Sequence, residues 1–152
     1  MNPSRRALMQ AMAGAALACL KPVVSMAQLQ SPPASTDKRI VMTVGPHAFV
    51  VVLADTEAAR AFAHMLPASF EMSDLNRNEK KVRLPRPLPT TIVQPGTIHA
   101  GDVMLWGEDT LVVFYETFQS PYRYTRIGRI EQPHGLAQAL GPGDVRITFA
   151  RP

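Results

Sequence analysis

Side chains able to do chemistry are few and scattered in this 152-residue chain. The four histidines, His47, His64, His99 and His134, lack the close spacing of a zinc site, so no metal is expected. There is no Gly-x-Ser-x-Gly elbow and no phosphate-cradling glycine loop, which removes the usual grounds for a serine hydrolase or a nucleotide enzyme. No cofactor is expected. Asp102, after Gly101, has the setting of a turn carboxylate that accepts from backbone N–H groups. Tyr122 and Tyr124 share a strand face with Arg126, a pattern that fits an aromatic and cationic binding surface or a plain barrel exterior. Trp106 sits in an apolar run, the setting of a core residue more than of a cofactor stack.

The densest stretch is Leu84 to Phe118, LPRPLPTTIVQPGTIHAGDVMLWGEDTLVVFYETF. Prolines at 85, 87, 89 and 95 stiffen its first half and forbid regular pairing there, because each lacks an N–H donor and restrains the residue before it. In its second half, Val103 to Trp106 and Leu111 to Tyr115 are nearly continuous apolar runs, as in strands covered on both faces.

The elements around this stretch follow from pattern. Ile40 to Val44 and Ala48 to Leu53, rich in β-branched residues, flank Gly45-Pro46 and predict a hairpin. Ala59, Phe62, Ala63 and Leu66 recur at helical spacing, so a helix is expected over Thr56 to Leu66, capped by Asp55 and stopped by Pro67. Ser69 to Asp74 alternates, with Phe70 and Met72 inward; Leu75 to Lys81 is polar and turn-like, before a short Val82 to Leu84 segment. Tyr122 to Ile130 predicts a strand with a bulge at Gly128. Gly135 to Leu140 suits one short helix, and Val145 to Ala150 alternates as a closing strand. The expected class is mostly β (all-β), best served by a closed or nearly closed barrel, with a two-sheet sandwich as the alternative.

The N-terminus reads as an address. Arg5-Arg6, an apolar run from Ala7 to Leu20 and small residues at Ser25 and Ala27 have the layout of a cleavable export signal, residues 1–27. Ser4-Arg5-Arg6-Ala7-Leu8 resembles the twin-arginine export motif, with Gln10 where lysine is more usual. A membrane anchor needs about 18 apolar residues and this run is shorter; lipidation at Cys19 is a further rival. The expected location is periplasmic or secreted, with no stable membrane insertion after cleavage. Residues 28–38 read as a polar tether, and 39–151 as one domain.

Cleavage would remove Arg5, Arg6 and Lys21, so 16 basic and 12 acidic residues become 13 and 12. No run of Lys or Arg then remains to match phosphate spacing, and nucleic acid is not an expected partner. The one cysteine, Cys19, leaves too, so the mature domain must rely on its core.

Taken in order, the hairpin, TEAARAFAHMLP, SFEMSDLNRNEK, LPRPLP, PGTIHAGDVMLWG, LVVFYETF and YRYTRIGRI resemble the small bacterial cyclophilin-like domains. The resemblance implies an eight-stranded barrel with one or two short helices. Cyclophilins catalyse rotation about the bond preceding proline, a barrier of about 18–20 kcal/mol, with an apolar pocket for the ring and an arginine that draws the amide nitrogen out of conjugation. Arg86, in Arg86-Pro87-Leu88-Pro89, is similar to that arginine and is the candidate catalytic residue, with His99, Met104, Trp106 and Phe114 as candidate ligand-binding residues. Arg83, Arg123 and Arg126 compete for the cationic role. Two substrate-binding segments of active cyclophilins have no counterpart here: the asparagine-rich lead into Gly-Ser-Gln-Phe-Phe, and Trp-Leu-Asp with its later histidine. The expectation is therefore a domain that binds a proline-containing peptide or small ligand. A weak prolyl isomerase using Arg86 and a scaffold for partner proteins are the alternatives.

Overall fold

A computed structural model describes residues 38–152 and, before them, Gly14 alone. Apart from that glycine, the expected export signal with its arginine pair and Cys19, and the tether up to residue 37, lie outside the described residues. The elements in order are β1 (Arg39–Val44), β2 (His47–Leu53), α1 (Glu57–His64), β3 (Ala68–Leu75), β4 (Glu79–Arg83), β5 (Ile92–Val93) and β6 (Thr97–Ile98). They continue with β7 (Asp102–Trp106), β8 (Thr110–Phe114), β9 (Phe118–Gln119), β10 (Tyr124–Ile130), α2 (Leu136–Leu140) and β11 (Val145–Ala150).

Eight strands close into an antiparallel barrel in the order β2-β1-β11-β3-β4-β8-β7-β10, and β10 pairs back onto β2 through Gly128 with Leu53 and Ile130 with Val51. Closure leaves no long open edge and sets aside the two-sheet alternative. At its start β10 runs past β2, and Tyr124 and Thr125 pair instead with Val93 and Ile92 of β5. The proline-bearing half of the stretch therefore contains two short paired segments, β5 with β10 and β6 with β9, contrary to the expectation that its prolines forbid pairing: Ile92, Val93, Thr97 and Ile98 all have N–H groups.

The bulge expected in β10 is present, as its register against β7 shifts between Arg126 and Gly128. Glycine is required there by a close approach. A Cβ at Gly128 would lie 2.6 Å from the Val52 carbonyl oxygen and 3.0 Å from Val51 Cγ1.

Helix α1 starts one residue later than the sequence predicts its cap. Thr56, in extended conformation, is the N-cap, and its hydroxyl oxygen accepts from the Ala59 N–H at 3.0 Å. The same hydroxyl donates to the Arg126 carbonyl at 2.8 Å, tying the helix to β10; Asp55 pairs with Arg60 instead. A threonine cap contributes about 1 kcal/mol. Ala58, Ala59, Phe62 and Ala63 are buried, and Phe62 meets Phe149 edge-on at 5.3 Å.

Side chains of β7 and β8 serve two cores. Val103, Leu105, Leu111 and Val113 belong to the main core with Met42, Met72, Ile147 and Phe149. The alternate residues Met104, Val112 and Phe114 form a second cluster with Ile98 and Tyr124, packed against Phe118. Because neighbours in a strand point to opposite faces, this second cluster lies on the outer wall of the barrel. The small β6–β9 pair, Thr97 with Gln119 and Ile98 with Phe118, brings apolar cover to it. Both runs are covered on both sides, as their composition predicts, until Trp106.

Candidate functional site

Trp106 breaks the pattern. It is 55% exposed on the outer wall, although its run reads as core, because the strand extends beyond the second cluster before the Gly107 turn. Beside it is a groove of about 280 Å³ lined by Leu75, Asn76, Asn78, Glu79, Lys81, Trp106, Thr110, Val112, Phe118, Tyr122 and Tyr124. The strand register explains the convergence: Glu79 pairs with Phe114 and Lys81 with Val112, so β4 presents Glu79 and Lys81 on the same face as the second cluster. A second cleft of about 470 Å³ shares Lys81, Trp106 and Thr110 with the groove, so the indole stands between the two.

The two tyrosines differ. Tyr122, at 62% exposed, is open to solvent, whereas Tyr124 is buried and meets Phe114 edge-on at 5.5 Å. Burial pushes the Tyr124 hydroxyl up from its ordinary pKa, and the Glu79 charge adds to this. Glu79 is the unusual member of the lining. It is only 9% exposed, it has no hydrogen bond or ion pair among the described residues, and burial raises its carboxyl pKa, with Lys81 opposing and Asp74 reinforcing the shift. Next to it, the Asn78 side-chain oxygen is buried without a hydrogen-bond partner.

Sequence reasoning missed Glu79 and Asn78 because Leu75 to Lys81 reads as a polar turn. The turn is only Asn76, Arg77 and Asn78, with Asn76 and Arg77 at φ 55° and 54°. Strand β4 begins at once with Glu79. The signal was available, since Asn-Arg-Asn is turn chemistry and Lys80 and Val82 alternate with Glu79 and Lys81.

The five candidates from sequence do not converge. Trp106 lines the groove, and Met104 and Phe114 are buried in the cluster behind it. His99, in the β6–β7 turn, lines neither the groove nor the adjoining cleft: its N–H donates to Asp102 Oδ2 at 2.9 Å, and its side chain is about half exposed. Asp102 is the turn carboxylate expected, and it also accepts from Arg129 Nε at 2.7 Å. Arg86 is exposed and lines neither the groove nor the adjoining cleft, although Leu88 two residues on is buried and its N–H donates to the Glu108 carbonyl. Tyr122, Tyr124 and Arg126 separate likewise, since Arg126 lines a different cleft, beside β2.

A cleft of about 300 Å³ beside α1 collects Lys38, Asp55, Arg60, His64 and Arg151. Three of its charged groups have partners: Arg60 pairs with Asp55, and Arg151 donates to the Ala63 carbonyl. Among the described residues, no group of three or more His, Cys, Asp or Glu is placed to hold a metal, and no helix is long and apolar enough to cross a membrane.

The antiparallel eight-stranded barrel with two short helices is a cyclophilin-like fold. The chain matches the sequence profile of the Cyclophilin-like family over residues 42–150 and belongs to that family. A solved relative in fold is a hypothetical protein from Archaeoglobus fulgidus, known from a solution structure. It is 18% identical, with a TM-score of 0.51 and coverage of 80% of this chain and 100% of that one. No curated protein sequence matches the chain.

Proposed function

We propose that this domain is an exported binding module that engages a proline-containing peptide in the outer-wall groove, without turnover. The observation that supports it best is the exposed Trp106 with Tyr122 beside a concave floor of Val112 and Phe118. Large exposed aromatic faces are costly in water and are the usual anchors of peptide recognition. A proline ring offers a rigid apolar face to stack on Trp106, and an extended peptide has room to run into the adjoining cleft. A confined groove favours this reading over a scaffold role, which calls for a broad exposed apolar patch. The position of Arg86 away from the groove supports binding without catalysis.

Two measurements on the full chain test this reading. Titration with a blocked proline tetrapeptide should saturate and perturb Trp106, and the protein should leave the cis-trans isomerisation rate of that peptide unchanged at high protein concentration. Acceleration that disappears in Arg86→Ala would favour the isomerase reading instead. Export by the twin-arginine route is tested by replacing Arg5 and Arg6 with lysine. Precursor should then stay in the cytoplasm, and normal export would refute that route.

A further inference from the structure

Glu79 has no structural partner to account for its burial. Its carboxyl oxygens still touch solvent, but only through the groove, and acidic side chains in residues this far buried are ordinarily paired. The adjacent Lys80 shows what a satisfied group looks like in this fold. Its ammonium is fully buried and donates to Asp74 Oδ1 at 2.8 Å, the Gly141 carbonyl at 2.8 Å and the Gly143 carbonyl at 2.6 Å. Glu79 points to the opposite face of β4, toward the groove, where nothing donates to it.

From this geometry we infer that the groove takes a cationic nitrogen, the ammonium of a lysine side chain in the bound peptide, which donates to Glu79 while its methylene stem packs on the aromatic wall. The inference rests on the groove being the peptide site proposed above, and it adds the charge of the ligand. Three features of the lining agree. Glu79 and the Asn78 side-chain oxygen are both unmet acceptors, so the site calls for a ligand rich in donors. Trp106 and Tyr122 offer exposed rings that attract a cation. A lysine stem is apolar and suits Val112 and Phe118.

Lys81 is the internal competitor. It lines the same groove two residues along β4 and its charge acts on Glu79, yet it forms no ion pair within 4 Å among the described residues. It is exposed, and burying its ammonium against Glu79 would cost hydration and rotamer freedom. A ligand ammonium brought in by a peptide already anchored on Trp106 meets less of that cost.

The test uses the full chain and two blocked peptides, acetyl-Ala-Lys-Pro-Ala-amide and its counterpart with norleucine in place of lysine, titrated calorimetrically near neutral pH. The lysine peptide should bind at least about tenfold more tightly. Glu79→Gln should bring the two affinities within about twofold by weakening the lysine peptide alone, and Lys81→Gln should tighten the lysine peptide. Equal affinities on the unaltered protein, or a lysine preference that survives Glu79→Gln, would overturn the cation inference and leave the groove reading standing. If neither peptide binds at millimolar concentration, the groove reading fails and this inference with it.

Discussion

Glu79 and Lys80 are neighbours in β4, both buried, and opposite in satisfaction: the Lys80 ammonium has three acceptors and the Glu79 carboxyl has no donor. One strand thus supplies a staple on its inner face and an unmet acceptor on its outer face. The staple also includes Tyr115, whose hydroxyl donates to Asp74 Oδ1 at 2.6 Å and whose ring lies 5.5 Å from the Lys80 nitrogen. Hydrogen bonds from Lys80, then from Tyr115, hold the Asp74 carboxyl below its ordinary pKa.

Lys80→Met should cost about 3 kcal/mol in chemical denaturation, because it strands Asp74 and two carbonyls without their donor. A cost below about 1 kcal/mol would show that desolvation of the ammonium offsets what its bonds contribute. Asp74 adds a pH signature. Its folded pKa is lowered, so its contribution is present above the ordinary value of 3.8 and is lost as pH falls through the lower folded value. Asp74→Asn should therefore destabilise at neutral pH, with the difference vanishing in strong acid.

Glu79→Gln should act in the opposite sense. The folded pKa of Glu79 is raised, so the folded chain holds its proton more tightly than the unfolded chain. Glu79 thus reduces stability at neutral pH, and that cost is relieved as pH falls toward its ordinary value of 4.5. The variant should be more stable than the parent at pH 7, with the gap closing by pH 4. The groups that act on Glu79, Lys81 and Asp74, are unchanged in it. A variant less stable at pH 7 would mean that Glu79 has a structural role.

Trp106 is the single tryptophan, so fluorescence excited where tyrosine does not absorb reports on the groove and the cleft beside it. Emission should be that of a half-exposed indole and should shift to shorter wavelength when a proline peptide covers it. Trp106→Ala should change stability by less than about 1 kcal/mol, as an exposed side chain, while weakening the peptide at least about tenfold. Equal peptide affinity in this variant would remove the groove from the binding site.

Gly128→Ala should cost about 2 kcal/mol or more, because the added methyl meets the Val52 carbonyl where β10 closes on β2. Amide-exchange protection should drop first in β2 and β10, where the clash falls. Protection equal to the parent throughout would show that the seam accommodates the methyl without loss.

Much of the barrel was legible in local pattern. The β1–β2 hairpin, the alternation of β3 and β11, the double-faced runs of β7 and β8 and the Gly128 bulge all follow from side-chain period, because a strand face must match what covers it. The shift of the helix cap from Asp55 to Thr56 lay beyond local pattern: both residues can cap, and Thr56 alone also donates its hydroxyl hydrogen bond to the Arg126 carbonyl, 70 residues away.

The site was less legible, since it is made of residues brought together only by register. Trp106 reads as core from its neighbours, and its exposure is decided by where the β6–β9 cover stops. The sequence alone determined a mostly β domain, because periodicity and turn chemistry are local properties, and the order of its motifs resembled the cyclophilin-like domains. Only the tertiary structure decided that Glu79, Trp106 and Tyr122 share one groove and that Arg86 and His99 stay outside it, because closure of the barrel sets which outer faces adjoin.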